Sequence, residues 1–276
     1  MIKRIAASVC ADTVVFGTAG YMPQKAVVGQ GAITACAGSF DEETSSWEDD
    51  DYDSDFNYTT IEDEGVEIYG YKHKNTATEV IIPETIDGLP VTRIGNNAFE
   101  NCPVLTSVSI PDSVIYIGHG AFSYCTSLES VDIPDSVEEI DVAAFVNCAS
   151  LTSVKLPKGI DTVSEQVFAN CVKLKNVEIP EGVTTISFNA FSGCSSLTDV
   201  TLPNGLTRIC RDAFSVCGSL EKINIPASVT SIEKAAFANC IKLKSIDVDE
   251  KNSNYSSDDG VLFNKDKTAL LQYPSG

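Results

Sequence analysis

Histidine is scarce in this sequence, His73 and His119 being its only two, and no acid, base and nucleophile fall near either of them. No glycine-rich phosphate loop, His-Cys metal spacing or paired-carboxylate motif stands out. Catalysis is therefore not expected, nor is a cofactor or a bound metal. Basic residues are also few: Lys and Arg number 19 against 39 acids, for a formal net charge of -20. No basic stripe is available to neutralise phosphates, which disfavours nucleic acids and anionic membranes as partners.

The acidity is uneven. Residues 41 to 67 hold thirteen acids and no base, whereas residues 1 to 37 hold Lys3, Arg4, Lys25 and a single acid, Asp12. Like charges this dense repel one another, so residues 38 to 65 read as an acidic disordered linker. Asp51, Asp53, Asp55 and Glu62 match positions 1, 3, 5 and 12 of a calcium loop, but Phe56 occupies the turn position that demands glycine, which favours the solvated linker. Upstream, Lys3 and Arg4 precede an apolar run from Ile5 to Tyr21, and Ala35-Cys36-Ala37 follows a small-x-small pattern. Residues 1 to 37 read as a secretory signal. Two other readings stand beside it: a lipoprotein box at Ile33-Thr34-Ala35-Cys36, and an N-terminus with no targeting role.

What the chain has in abundance is period. Phe99/Cys102 returns as Phe122/Cys125, Phe145/Cys148, Phe168/Cys171, Phe191/Cys194, Phe214/Cys217 and Phe237/Cys240, always 23 residues on. Pro111, Pro134, Pro157, Pro180, Pro203 and Pro226 keep the same interval. A fixed period of this length predicts a β-rich solenoid in which each repeat packs mainly on its neighbours. Within one repeat, Val131 and Ile133 share a face of a short strand ended by Pro134; Val137 and Ile140 begin the return side, and Ala144, Phe145 and Cys148 close the coil. The repeats occupy about residues 84 to 247.

Ten cysteines would suggest a disulfide framework but for their placement. Seven share one repeat position, where stacked coils would bring them roughly 5 Å apart, and an odd set cannot all pair. They read as a column of buried free thiols. Cys210 stands where other repeats carry Gly95, Gly118, Asp141, Ser164, Ser187 and Glu233, so it is expected to be exposed.

Before the array, Val66 to Tyr71 and Thr78 to Ile82 alternate around the turn Lys72 to Ala77, which predicts a β-hairpin cap over residues 66 to 83. The interval from Pro83 to Pro111 is 28 residues, five more than the period, the excess being a loop near Asp87-Gly88-Leu89-Pro90-Val91. After the array, residues 248 to 276 predict a hairpin module turning at Asn264 to Thr268.

The pattern Leu-x-x-Val-x-Ile-Pro-x-Ser-Val-x-x-Ile-Gly-x-x-Ala-Phe-x-x-Cys, nearly intact from Leu105 to Cys125, resembles the BspA-type leucine-rich repeats of bacterial surface proteins. The resemblance spans about residues 80 to 276. It implies a right-handed leucine-rich-repeat array, secreted or displayed on the cell and used for attachment to host proteins or other cells, with no family-wide catalytic residues. In relatives a further repeat block usually follows the pair seen here as Tyr273-Pro274, so the resemblance implies either a fragment of a longer protein or an early-terminated homologue.

Function then falls to the outward strand positions: Ser130, Ser153, Asn176, Asp199 and Lys222 in one column, Asp132, Lys155, Glu178, Thr201 and Asn224 in the other. None is aromatic or Arg, the types that anchor protein interfaces. A monomeric module binding extracellular or surface proteins over a polar face is one expectation; a spacer holding another domain away from the envelope is the other.

Overall fold

A computed structural model describes residues 54–276, all within the unit Tyr52–Gly276. The signal segment, the first two calcium-loop acids and most of the acidic stretch lie outside the described residues.

The 23-residue period builds two ladders of short parallel strands. The main ladder runs through Glu79–Ile81, Ser107–Ser109, Ser130–Asp132, Ser153–Lys155, Asn176–Glu178 and Asp199–Val200, each strand bonded to its counterpart one coil on. Lys222–Ile225 and Ser245–Val248 pair in the same way. The return ladder carries Leu89–Ile94, Tyr116–Ile117 and Glu139–Ile140, then Thr162–Val163, Thr185–Ile186, Arg208–Ile209 and Ser231–Ile232. Equal spacing in sequence thus becomes equal register in space, and the expected β-solenoid is the observed architecture.

Between the ladders the seven phenylalanines form one continuous stack. Adjacent ring centroids lie 5.0 to 5.7 Å apart with planes within 12° of parallel, and every ring is buried. Tyr71 continues the stack beyond Phe99 at 5.3 Å, and Phe56 packs on both. Two residues flank each ring in the left-handed region, for instance Ala143 at φ 58° and Asn147 at φ 61° around Phe145. These bends let the chain turn tightly about the ring. One such position is Val216 at φ 60°, where a β-branched side chain is strained.

The cysteine column is buried and unbridged, and six of its seven thiols share one kind of partner. Cys125, Cys148, Cys171, Cys194, Cys217 and Cys240 donate to the Phe carbonyl of the preceding coil at 3.1 to 3.3 Å. A small apolar residue with one weak donor therefore satisfies a carbonyl where a hydroxyl would add desolvation cost. Burial pushes Cys148 and Cys194 up to about 12 and Cys171 well above its ordinary value. Cys210 is half-buried, not freely exposed as expected; burial first, then the Glu233 carboxylate, raises its pKa. At pH 8 alkylation of the native protein is expected to modify Cys210 alone among the described cysteines, and more slowly than a free thiol. Denaturation without reductant should release all eight of them; recovery of two or three would mean bridges.

The N-terminal end differs from the expected cap. Phe56–Ile61, inside the stretch read as linker, is a strand, and it pairs antiparallel with Gly65–Tyr71. Gly65–Tyr71 then pairs parallel with Leu89–Ile94, covering the return ladder. The expected hairpin between Val66–Tyr71 and Thr78–Ile82 is absent, because Glu79–Ile81 joins the main ladder instead. The extra five residues form a small hairpin, Thr85–Ile86 against Leu89–Pro90, whose Asp87-Gly88 turn has φ 53° and 75°. Tyr58 ties it down by donating to Asp87 Oδ2 at 2.7 Å. The strand Phe56–Ile61 also separates Asp55 from Glu62 by roughly 20 Å of extended backbone. These two cannot share one calcium ion, and Asp55 instead meets His73 Nε2 at 2.9 Å.

At the other end, Tyr255–Asp258, Val261–Asn264 and Leu270–Gln272 form an antiparallel sheet. The turn after Val261–Asn264 is held by Asn264, which donates to Thr268 Oγ1 and accepts from Ala269 N, both at 2.8 Å. Gly260 O accepts from Ile246 N and Ser257 Oγ from Val248 N, so the sheet takes up outward donors of the last main strand. The Tyr255 hydroxyl does the same for Ile232 N on the return side, at 2.8 Å.

Candidate binding face

Alternation along each main strand sorts its side chains. Val131, Val154, Val177, Val200 and Ile223 point inward and are buried. Their neighbours point outward, and parallel register aligns them: Ser130 with Ser153, Ser153 with Asn176, Asn176 with Asp199, and Lys155 with Glu178. All ten residues named from the sequence, Ser130, Asp132, Ser153, Lys155, Asn176, Glu178, Asp199, Thr201, Lys222 and Asn224, are exposed. Thr201 falls one residue beyond its strand, Asp199–Val200, and keeps its column place.

The face is a mixed-charge sheet. Lys222 bridges to Asp247 one coil on at 2.7 Å, which occupies one of the two lysines the columns supply. Beside the face, Lys158 is paired with Asp135 of the preceding coil, and Lys244 with Glu221 at 2.7 Å. Such exposed pairs fix side-chain positions more than they add stability. Charges held this way give the surface a defined pattern of sign for a partner to match.

The return side presents other chemistry. Arg93 lies 4.0 Å above the Tyr116 ring, and Tyr116 donates to Asp141 Oδ2 at 3.0 Å. Burial, with the Asp141 hydrogen bond second, pushes Tyr116 up to about 12. Arg211 stacks over Phe188 at 4.6 Å. His119, whose backbone N–H donates to Asn96 Oδ1, belongs to this side and not to the strand face; His73 belongs to the N-terminal end.

One feature of the strand face was not foreseen from the columns. At its edge, just past the strands Ser153–Lys155 and Asn176–Glu178, is a cleft of about 390 Å³ floored by Leu156, Ile179 and Pro180. The signal for it was present as a departure from the repeat: Ser113, Ser136 and Ser228 give way to Gly159, Gly182 and Gly205 in three central coils.

Stacked short parallel strands with a Phe core and an outward polar face define a leucine-rich-repeat solenoid. Residues 52–175 and 161–266 match the family model of the BspA type leucine rich repeat region, in six copies, and the chain belongs to that family. A leucine rich cell surface protein from Faecalibacterium prausnitzii A2-165 is 34% identical over 84% of this chain and 62% of its own, with a TM-score of 0.70. The chain therefore spans less than two thirds of that relative. The T. pallidum leucine rich repeat protein is 32% identical over 70% of this chain and 78% of its own, at a TM-score of 0.51. The pneumococcal vaccine antigen PcpA is 25% identical over 80% of this chain and 54% of its own, also at 0.51. No curated protein matches. Among the described residues no helix is long and apolar enough to cross a membrane.

Proposed function

We propose that this chain is a secreted or surface-displayed binding module that attaches to host or bacterial surface proteins through its main strand face, without catalysis. The observation that carries this reading is the face itself: ten exposed polar and charged side chains held in register by a rigid stack, beside a cleft with an apolar floor. Family membership and the cell-surface relative support the location. Contacts made by Lys155, Glu178 and Asp199 are polar and individually weak, so attachment gains strength from many copies on one cell.

A spacer role has one observation in its favour, the lack of any aromatic residue or Arg in the outward columns between Ser107 and Asp247. Capture experiments separate the two. The immobilised chain is expected to retain particular extracellular or bacterial surface proteins saturably, with retention falling as salt rises. Retention of none would favour the spacer.

A further inference from the structure

We propose that the cleft beside the strand face is an anchor pocket for an aliphatic or aromatic side chain of a protein partner, flanked on that partner by an acid and a base. This rests on the reading of the chain as a binding module, and it supplies the strong anchor that the outward columns lack.

The cleft opens where a corner side chain is missing. In the coils that carry Ser136 and Ser228, the corner hydroxyl donates to the carbonyl of Val114 or Leu206 in the preceding coil, at 2.8 and 2.5 Å. Gly182 makes no such link. Its backbone does not require glycine, since its φ lies outside the left-handed region, and a Cβ there would meet Ile160 O and Lys158 O only at 3.4 and 3.5 Å. Serine would fit, so the glycine leaves space that other coils fill. Ile179 on this coil is half-buried, whereas its counterparts Ile133, Leu156, Leu202 and Ile225 are 1 to 7% exposed; Leu156 and Leu202 also precede a corner glycine, so Gly182 uncovers Ile179 only together with the parting of the Lys158 and Glu181 side chains.

Charge shapes the rim. Lys158 is drawn to Asp135 on the coil before, and Glu181 accepts from Asn204 N on the coil after, at 3.1 Å. The two side chains are therefore pulled in opposite directions, leaving the apolar floor between them uncovered. Lys155 and Glu178, register partners and both exposed, stand on the strand side. The rim is thus cationic on one coil and anionic on the next, and about 390 Å³ is within the range that holds a small organic group. An apolar side chain with an acid toward Lys155 and a base toward Glu178 matches both the floor and the rim.

The probe is the peptide Ac-Lys-Phe-Asp-NH2, titrated into the full chain while the methyl resonances of Ile179 and Leu156 are followed. Saturable shifts at both are expected, with affinity roughly tenfold lower for Ac-Lys-Ala-Asp-NH2 and for Ac-Gln-Phe-Gln-NH2. Gly182→Ser, which restores the side chain other coils carry, should weaken the first peptide about tenfold while leaving the Leu174 methyl resonances in place. Absence of shifts, equal binding of the alanine peptide, or indifference to Gly182→Ser overturns the proposal. Capture of surface proteins that survives Gly182→Ser would remove the cleft and leave the strand-face reading standing. Peptide binding with no protein captured would sink the module reading, and with it the partner assigned here.

Discussion

Phe168→Ala is expected to cost about 3 to 5 kcal/mol of stability. Phe168 is fully buried, with Phe145 at 5.6 Å on one side and Phe191 at 5.7 Å on the other, so its removal takes away two stacked contacts and leaves a hole at mid-array. Neighbouring coils are held by bonded ladders on both sides and cannot close that hole cheaply. For a chain of this size the change corresponds to a melting temperature lower by roughly 6 to 20 °C. The same loss bears on folding units, because a solenoid's stability is summed from neighbour to neighbour. Weakening the middle should therefore broaden the denaturant transition as the halves uncouple. An unchanged, equally sharp transition would show that the ring stack is not the core of the molecule.

Asn252→Ala should remove about 2 to 4 kcal/mol from the docking of the C-terminal sheet. Asn252 is fully buried, and all four of its side-chain hydrogen-bonding positions are used. Nδ2 donates to Pro226 O at 2.8 Å and Val229 O at 3.0 Å, both on the last Pro-bearing coil. Oδ1 accepts from Asn254 N and Tyr255 N, both at 2.8 Å, and so shapes the entry to the antiparallel sheet. Alanine would strand two buried carbonyls and two amides. Hydrogen exchange should show the loss locally, in faster exchange at Ile232 and Ile246, whose amides are bonded to Tyr255 and Gly260. Protection at both amides equal to that of the unaltered chain would mean that Asn252 does not fasten the sheet.

The repeated core was legible because a solenoid writes its geometry into sequence one coil at a time. Phe, Cys and the strand-ending Pro recur at the same interval at which the ladders repeat, so spacing alone assigned core, strand and outward face. Pairing at the N-terminal end was not legible for the opposite reason. Val66–Tyr71 and Glu79–Ile81 are close in sequence and look like the arms of a hairpin, yet the segment between them carries the chain from the return ladder to the main one. Phe56–Ile61 was hidden by the acids around it, although Phe56, Tyr58 and Thr59-Thr60-Ile61 are strand formers.

Other features were obscured because their residue types vary. The bend two residues after each ring is made by Asn101, Tyr124, Asn147, Asn170, Gly193, Val216 and Asn239, a set with no common side chain. The cleft was not legible because it departs from the repeat: Gly182, which lines it, replaces the serine of other coils, and the Lys158 and Glu181 side chains part above the floor. Spacing identifies the thiol column as small apolar filling, and its burial agrees; its bonds to the Phe carbonyls follow only from the coil geometry.

Charge reversal on the main strand face tests whether that face is the surface that attaches. Glu178→Lys together with Asp199→Lys changes two exposed side chains on adjacent strands, and the double variant should melt within a fraction of a kcal/mol of the original. Attachment to the captured surface proteins is the quantity to measure, across a range of salt, for this variant and for substitutions of His119 and Cys210 on the return side. The double variant is expected to attach more weakly and with altered salt dependence, while the His119 and Cys210 variants attach as the unaltered chain does. Attachment indifferent to Glu178 and Asp199 but lost with His119 or Cys210 would contradict it and place the binding surface on the return side.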